Sequence, residues 1–196
     1  MVRPDSGDGM RIALILLAAM ALSACGQQHE TAREGCARTA THEVSWTNAE
    51  APDVITTRSD GPSCLQAVVT FVARNAQGDA LWAFASTYYD LAVGGAPPEG
   101  APAVTEAEMD RFLAGWAEVT EMRSSALPQW REDAATLSES ATTFAYETPF
   151  ERETYEALRA RNLPTICYAA AVERTQCLIV EPASQAPAMI VAYGPR

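Results

Sequence analysis

Five cysteines, two histidines and 25 acidic side chains are the groups of this 196-residue chain with the chemistry to ligate a metal, attack a carbonyl or move a proton. The cysteines stand at 25, 36, 64, 167 and 177, and no two of them form the C-x-x-C spacing of zinc ribbons and redox pairs. Neither histidine opens an H-E-x-x-H zinc motif, because the position four beyond His29 is Arg33 and the position four beyond His42 is Trp46. His42 alone falls within the folded region, so a Ser-His or Cys-His pair has no other base to draw on, and no G-x-S-x-G elbow is present. All 14 basic residues are arginine. A chain without lysine has no Schiff base, no Walker A phosphate lysine and no Ser-x-x-Lys acylation site. Dinucleotide and EF-hand calcium signatures are also missing from the region that folds. The expectation is therefore a chain with no metal, no cofactor and no assigned catalytic residue.

Two carboxylates about 5 to 9.5 Å apart across a cleft would suffice for a glycosidase. Asp90, Glu147 and Glu173 sit near predicted strand or helix ends and are the candidates, whereas Glu106, Asp110, Glu118 and Glu121 read as the solvated flank of a helix. Of the tryptophans at 46, 82, 116 and 130, Trp82 and Trp116 fall on patterned apolar faces and belong to a core. Trp130 lies in a polar stretch beside Pro128, Gln129 and Arg131, and either closes the edge of the domain or presents a contact site. The net charge of −11 argues against a nucleic-acid partner.

Ile12 to Leu22 is an unbroken apolar run of eleven, flanked by Arg11 and by Ser23-Ala24-Cys25. A permanent membrane helix needs about 20 apolar residues, so this run has the length of a signal-peptide core instead. Leu22-Ser23-Ala24-Cys25 resembles the lipobox of bacterial lipoproteins, in which the cysteine is diacylated, the peptide is cut just before it and the new amino group is acylated. The resemblance covers about the first 26 residues and speaks to sorting rather than to activity. It implies a signal peptide at 1–24, lipidation at Cys25 and a membrane partner reached through the acyl chains. Gly26 stands where an aspartate would commonly mark inner-membrane retention, which implies the outer membrane, with the domain facing the periplasm. Met1 to Gly9 carries two acids and a proline, and Met10-Arg11 fits the basic start of such a signal better.

Removing 24 residues from 196 leaves 172, and the two arginines and two aspartates lost leave the net charge at −11. Residues 25–41 are predicted to be the acylated cysteine and a polar tether, and residues 42–196 a single domain with no internal repeat. Four cysteines remain in an oxidising compartment, which makes disulfides the default. Three pairings are possible, and sequence proximity favours Cys36 with Cys64 and Cys167 with Cys177.

Short β-branched segments predict strands at 43–47 and 54–58. Residues 65–74 and 80–90, joined across Gly78, predict a hairpin apolar on both faces and hence covered on both. Ala92 to Val104 is a Gly/Pro loop, and Thr105-x-x-Glu108 then opens a helix with an apolar stripe from Met109 to Met122. A second capping box at Thr148-Pro149-Phe150-Glu151 predicts a helix running to near Asn162, followed by strands at 165–172, 176–180 and 188–193. Strands, then two amphipathic helices, then strands imply an α+β fold with a mainly antiparallel sheet. The functional expectation is a lipid-anchored envelope protein that binds another envelope protein, a secreted enzyme or a cell-wall component. The alternative is a carboxylate-dependent hydrolase acting on periplasmic glycans.

Overall fold

The structure, a computed structural model, describes residues 35–47 and 50–196; the expected signal peptide, Cys25 and most of the expected tether lie outside the described residues. Strands β1 (Arg38–Val44), β2 (Asp53–Asp60), β3 (Val68–Arg74) and β4 (Ala80–Thr87) form an antiparallel meander in that order. Helices α1 (Tyr88–Ala92) and α2 (Glu106–Ala117) follow. The second sheet contains β5 (Thr120–Arg123), β6 (Ala145–Glu147), β7 (Pro164–Ala171), β8 (Arg174–Glu181) and β9 (Ala186–Gly194), ordered β5-β7-β8-β9-β6 and again antiparallel. Between β5 and β7 the chain also makes a 3-10 turn (Ser124–Ala126), α3 (Leu137–Ser140) and α4 (Arg152–Ala160). The fold is thus α+β, mostly β, with two disulfides.

The first core lies between the sheets. Val69, Phe71 and Ala73 of β3 meet Met109, Leu113 and Trp116 of α2, and Ile166, Tyr168 and Leu178 of the second sheet. The second core lies on the far side of that sheet, where Tyr155 and Leu158 of α4 join Leu127 and Leu137 against Cys167, Cys177, Ile179 and Val191. Strands β7 and β8, covered on both faces, accordingly carry runs without polar alternation.

The inner face of β2 is mostly polar, and each group on it has a partner. Buried Asp53 accepts from Trp46 N at 3.2 Å, Thr47 N at 2.6 Å and Thr47 Oγ1 at 2.7 Å. Thr57 Oγ1 donates to Leu113 O at 2.9 Å, tying the sheet to α2. Ser59 Oγ donates to Cys36 O at 3.1 Å and accepts from Arg38 N at 3.1 Å. Buried hydroxyls and carboxylates satisfied in this way specify position and remove the cost of leaving them bare.

Several boundaries differ from the sequence reading. Strand β1 starts at Arg38, inside the stretch read as tether, and Arg38 holds α2 through Asp110 at 2.6 and 2.8 Å. The 65–90 hairpin is not covered on both faces: β4 is an edge strand with Ala83 and Ala85 exposed. Alanine counts as apolar in a pattern but loses little when it faces water. The strand also stops at Thr87, whose hydroxyl accepts from Asp90 N and caps α1. The Thr105–Glu108 capping box forms, but α2 ends at Ala117, and Met122 lies on β5. No capping box forms at Thr148: α4 begins at Arg152, and Thr148 Oγ1 donates to Ile190 O at 2.7 Å, fixing the segment to β9.

Cys36 pairs with Cys64 across 28 residues, and Cys167 with Cys177, which stands directly opposite on the neighbouring strand. Loop-closure entropy assigns the longer link about 3–4 kcal/mol. A Cys36→Ser/Cys64→Ser variant should lose that much in equilibrium denaturation; a loss below about 1 kcal/mol would contradict it.

Tyr155 and Tyr168 are buried, with their hydroxyls donating to Pro128 O and Gln176 Oε1, each at 2.8 Å. Burial pushes both phenols above the ordinary tyrosine value. The unfolded chain releases these protons near pH 10 while the folded chain retains them, so their contribution is full below about pH 10 and falls as pH rises further. Each such group steepens the alkaline loss by about 1.4 kcal/mol per pH unit above that point. Urea titrations at pH 8, 10 and 11 should show the decline, and Tyr155→Phe should make it shallower; a pH-independent midpoint would refute the assignment.

Candidate functional site

Trp130 is held by α4 from below. Glu156 Oε1 accepts from Trp130 N at 2.6 Å, and Arg159 Nε donates to Leu127 O at 2.8 Å while Nη1 contacts Glu156 Oε2 at 3.1 Å. The indole N–H donates to Ala134 O at 3.1 Å, and the ring meets Tyr155 edge-on with centroids 6.2 Å apart. Arg152 Nη1 donates to Glu132 O at 2.8 Å and closes the other end of the loop. These contacts tie an irregular segment to α4 at both of its ends.

Between that loop and α4 lies a cleft of about 360 Å³ lined by Gln129, Trp130, Glu132, Arg152, Glu153 and Glu156. Trp130 is half-buried, leaving part of the indole for stacking. An amide, three carboxylates and one guanidinium surround it, a set that offers hydrogen bonds to hydroxyls or amides and an excess of negative charge toward a neutral or cationic ligand. Sequence reasoning singled out Trp130 but had no means of seeing the residues of α4 that complete the cleft, because they are more than 20 positions away and their periodicity reads as an ordinary polar face.

The three candidate acids divide. Glu147 and Glu173 line one cleft of about 330 Å³ together with Arg174 and Gly194. Arg174 lies between them in function, since its guanidinium ion-pairs with Glu147, and both acids are exposed. A glycosidase general acid is shielded from water, and here the cleft's Ala145, Ala171 and Pro195 leave both acids open to solvent. Asp90 is elsewhere, in a cleft of about 320 Å³ with Leu65, Gln66 and Tyr89, where it accepts a hydrogen bond from Thr87 Oγ1 at 2.7 Å.

The other tryptophans belong to the first core. Trp116 is buried and donates to Ala169 O at 2.8 Å, and Trp82 is half-buried and donates to Tyr168 OH at 3.0 Å. Trp46 is buried with its indole N–H unpartnered among the described residues. A rim of aromatic rings was missed by the sequence reading. Tyr146 and Tyr193 face each other across β6 and β9 with centroids 5.3 Å apart, and Phe144 packs 5.4 Å from Tyr193. Its signal was the alternation of Phe144 and Tyr146 in a stretch too short to mark a strand.

Among the described residues no three His, Cys, Asp or Glu side chains group as metal ligands, and no helix is long and apolar enough to cross a membrane. Comparison with protein-family models, curated proteins and solved structures found no match to this chain.

Proposed function

We propose that this chain is a lipid-anchored lipoprotein of the cell envelope, attached through Cys25 to the outer membrane and facing the periplasm, and that its domain acts by binding. The observation that carries the binding reading is the Trp130 cleft: a partly open indole, held through its own N–H and its backbone N–H, on a loop closed by Arg152, and ringed by polar groups. Rigid aromatic anchors surrounded by adaptable polar groups concentrate binding energy at low entropic cost. The partner is an envelope protein, a secreted enzyme or a cell-wall component, in each case presenting a neutral or cationic group to the acidic rim. The hydrolase reading draws on Glu147 and Glu173 sharing a cleft, and their exposure and the Arg174 ion pair weaken it.

Trp130 also packs against the second core, so Trp130→Ala should destabilise the fold by roughly 2–3 kcal/mol and is a poor test of contact. Glu153 is exposed on the rim, and Glu153→Arg should change stability by no more than about 0.5 kcal/mol. A photo-crosslinker placed at Gln129 in cells should capture an envelope partner, and Glu153→Arg should reduce that capture at least tenfold with the melting temperature unchanged. Capture that ignores the charge reversal would remove the cleft from the contact.

A further inference from the structure

We propose that the outer edge of β4 is a docking strand for an extended segment of a partner protein, one with apolar residues at alternate positions and lysine or arginine at its ends. A sheet edge presents unpaired N–H and C=O groups, and proteins ordinarily defend such edges by shortening, charging, kinking or covering them. Of the four sheet edges among the described residues, three are defended. Strand β1 carries Arg38, His42 and Glu43, and α2 packs along it. Strand β5 has four residues, two of them Glu121 and Arg123, and β6 has three.

Strand β4 is long and uncharged, and outside its own sheet it meets α1 and, at a few points, β9. Its eight residues, A-L-W-A-F-A-S-T, include no charge and no proline. A bulge at Ala73/Arg74 disturbs only its first residues, and Trp82 to Thr87 keep unbroken register with β3. Six residues in register present about 20 Å of ladder. Among the described residues, the backbone groups of Trp82 to Ala85 bond to no element other than β3. Alternate residues of an antiparallel edge direct both N–H and C=O outward, so an added strand would gain about four hydrogen bonds along Trp82 to Ala85. On the core side it would cover the half-buried rings of Trp82 and Phe84, and on the solvent side it would lie beside exposed Ala83 and Ala85. That alternation defines the ligand: apolar residues at every second position, with polar residues tolerated between them.

Charge selects the occupant. Asp79 immediately precedes β4 and Asp90 closely follows it, both exposed. Antiparallel pairing of two copies would gather these acids at both ends of the shared ladder, between chains that each carry −11. A partner segment with basic ends meets them instead. This surface belongs to the first sheet and is independent of the Trp130 cleft.

The probes are two ten-residue peptides, Lys-(Val-Thr)4-Lys and Glu-(Val-Thr)4-Glu, each N-methylated on one edge so that it cannot pair with itself, added to the full mature chain in detergent. The lysine-flanked peptide should slow amide exchange in Trp82–Thr87 at least tenfold and bind at least tenfold more tightly than the glutamate-flanked one at low salt, the gap closing as salt rises. Ala83→Lys/Ala85→Lys, at exposed positions, should weaken the lysine-flanked peptide at least tenfold without unfolding the protein. No binding, equal affinity for both peptides, or protection on another strand would overturn the proposal. So would concentration-dependent protection of the same amides without peptide, which would assign the edge to a second copy.

Discussion

Phe71→Ala should cost about 3–5 kcal/mol of folding stability, the largest effect expected from any single core substitution in this domain. Phe71 is fully buried on β3, and its ring stacks on Tyr168 with centroids 4.6 Å apart and an interplanar angle of 17°. It also packs against Trp116 of α2 at 5.6 Å. One side chain thus joins the first sheet, the long helix and the second sheet, and its loss removes transfer energy, two ring contacts and support for three elements at once. The surrounding rings are too rigid to collapse into the space, which places the cost toward the upper end of the range. Denaturant titration should show the midpoint falling with an unchanged slope, and the melting temperature should drop by roughly 10 °C. Phe84→Ala, at a half-buried position on the edge strand, should cost clearly less. Equal losses at the two positions would contradict the placement of the first core.

Cys25→Ser should abolish lipidation and, with it, processing of the precursor. Each acyl methylene contributes about 0.8 kcal/mol to anchoring, and two or more chains hold a protein at the bilayer where one does not. Without the thiol there is no diacylglycerol, and cleavage before residue 25 awaits that modification in proteins with this motif. The variant should accumulate as a precursor larger by 24 residues, with its domain folded and its two disulfides formed. A normally processed, acylated mature form of Cys25→Ser would mean that the cysteine has no part in either step.

The elements most legible in the sequence were those whose reason is local. The Thr105–Glu108 capping box needs only neighbouring residues, and it forms as expected. The Cys167–Cys177 link follows from two strands close enough in sequence to be a hairpin. Architecture that depends on distant partners was harder to read. Strand β2 hides Asp53, Thr57 and Ser59 behind contacts to Thr47, Leu113 and Cys36, so its buried face carries no hydrophobic signature. Alanines made β4 look like a covered strand, whereas the doubly covered strands are β7 and β8. Thr148 satisfied the capping pattern and was used instead to tie the chain to Ile190. In the candidate site, Trp130 stood out by composition, but Arg152, Glu153 and Glu156 acquire meaning only when α4 is laid beside the loop.

The proposed tethering of a binding domain to the envelope by lipid is tested most directly by the mass of the N-terminal peptide of the protein purified from membranes. A mature chain that begins at Cys25 and carries a thioether-linked diacylglycerol with an acylated amino group is the result predicted. A mature chain that begins elsewhere, or an unmodified Cys25, would contradict it.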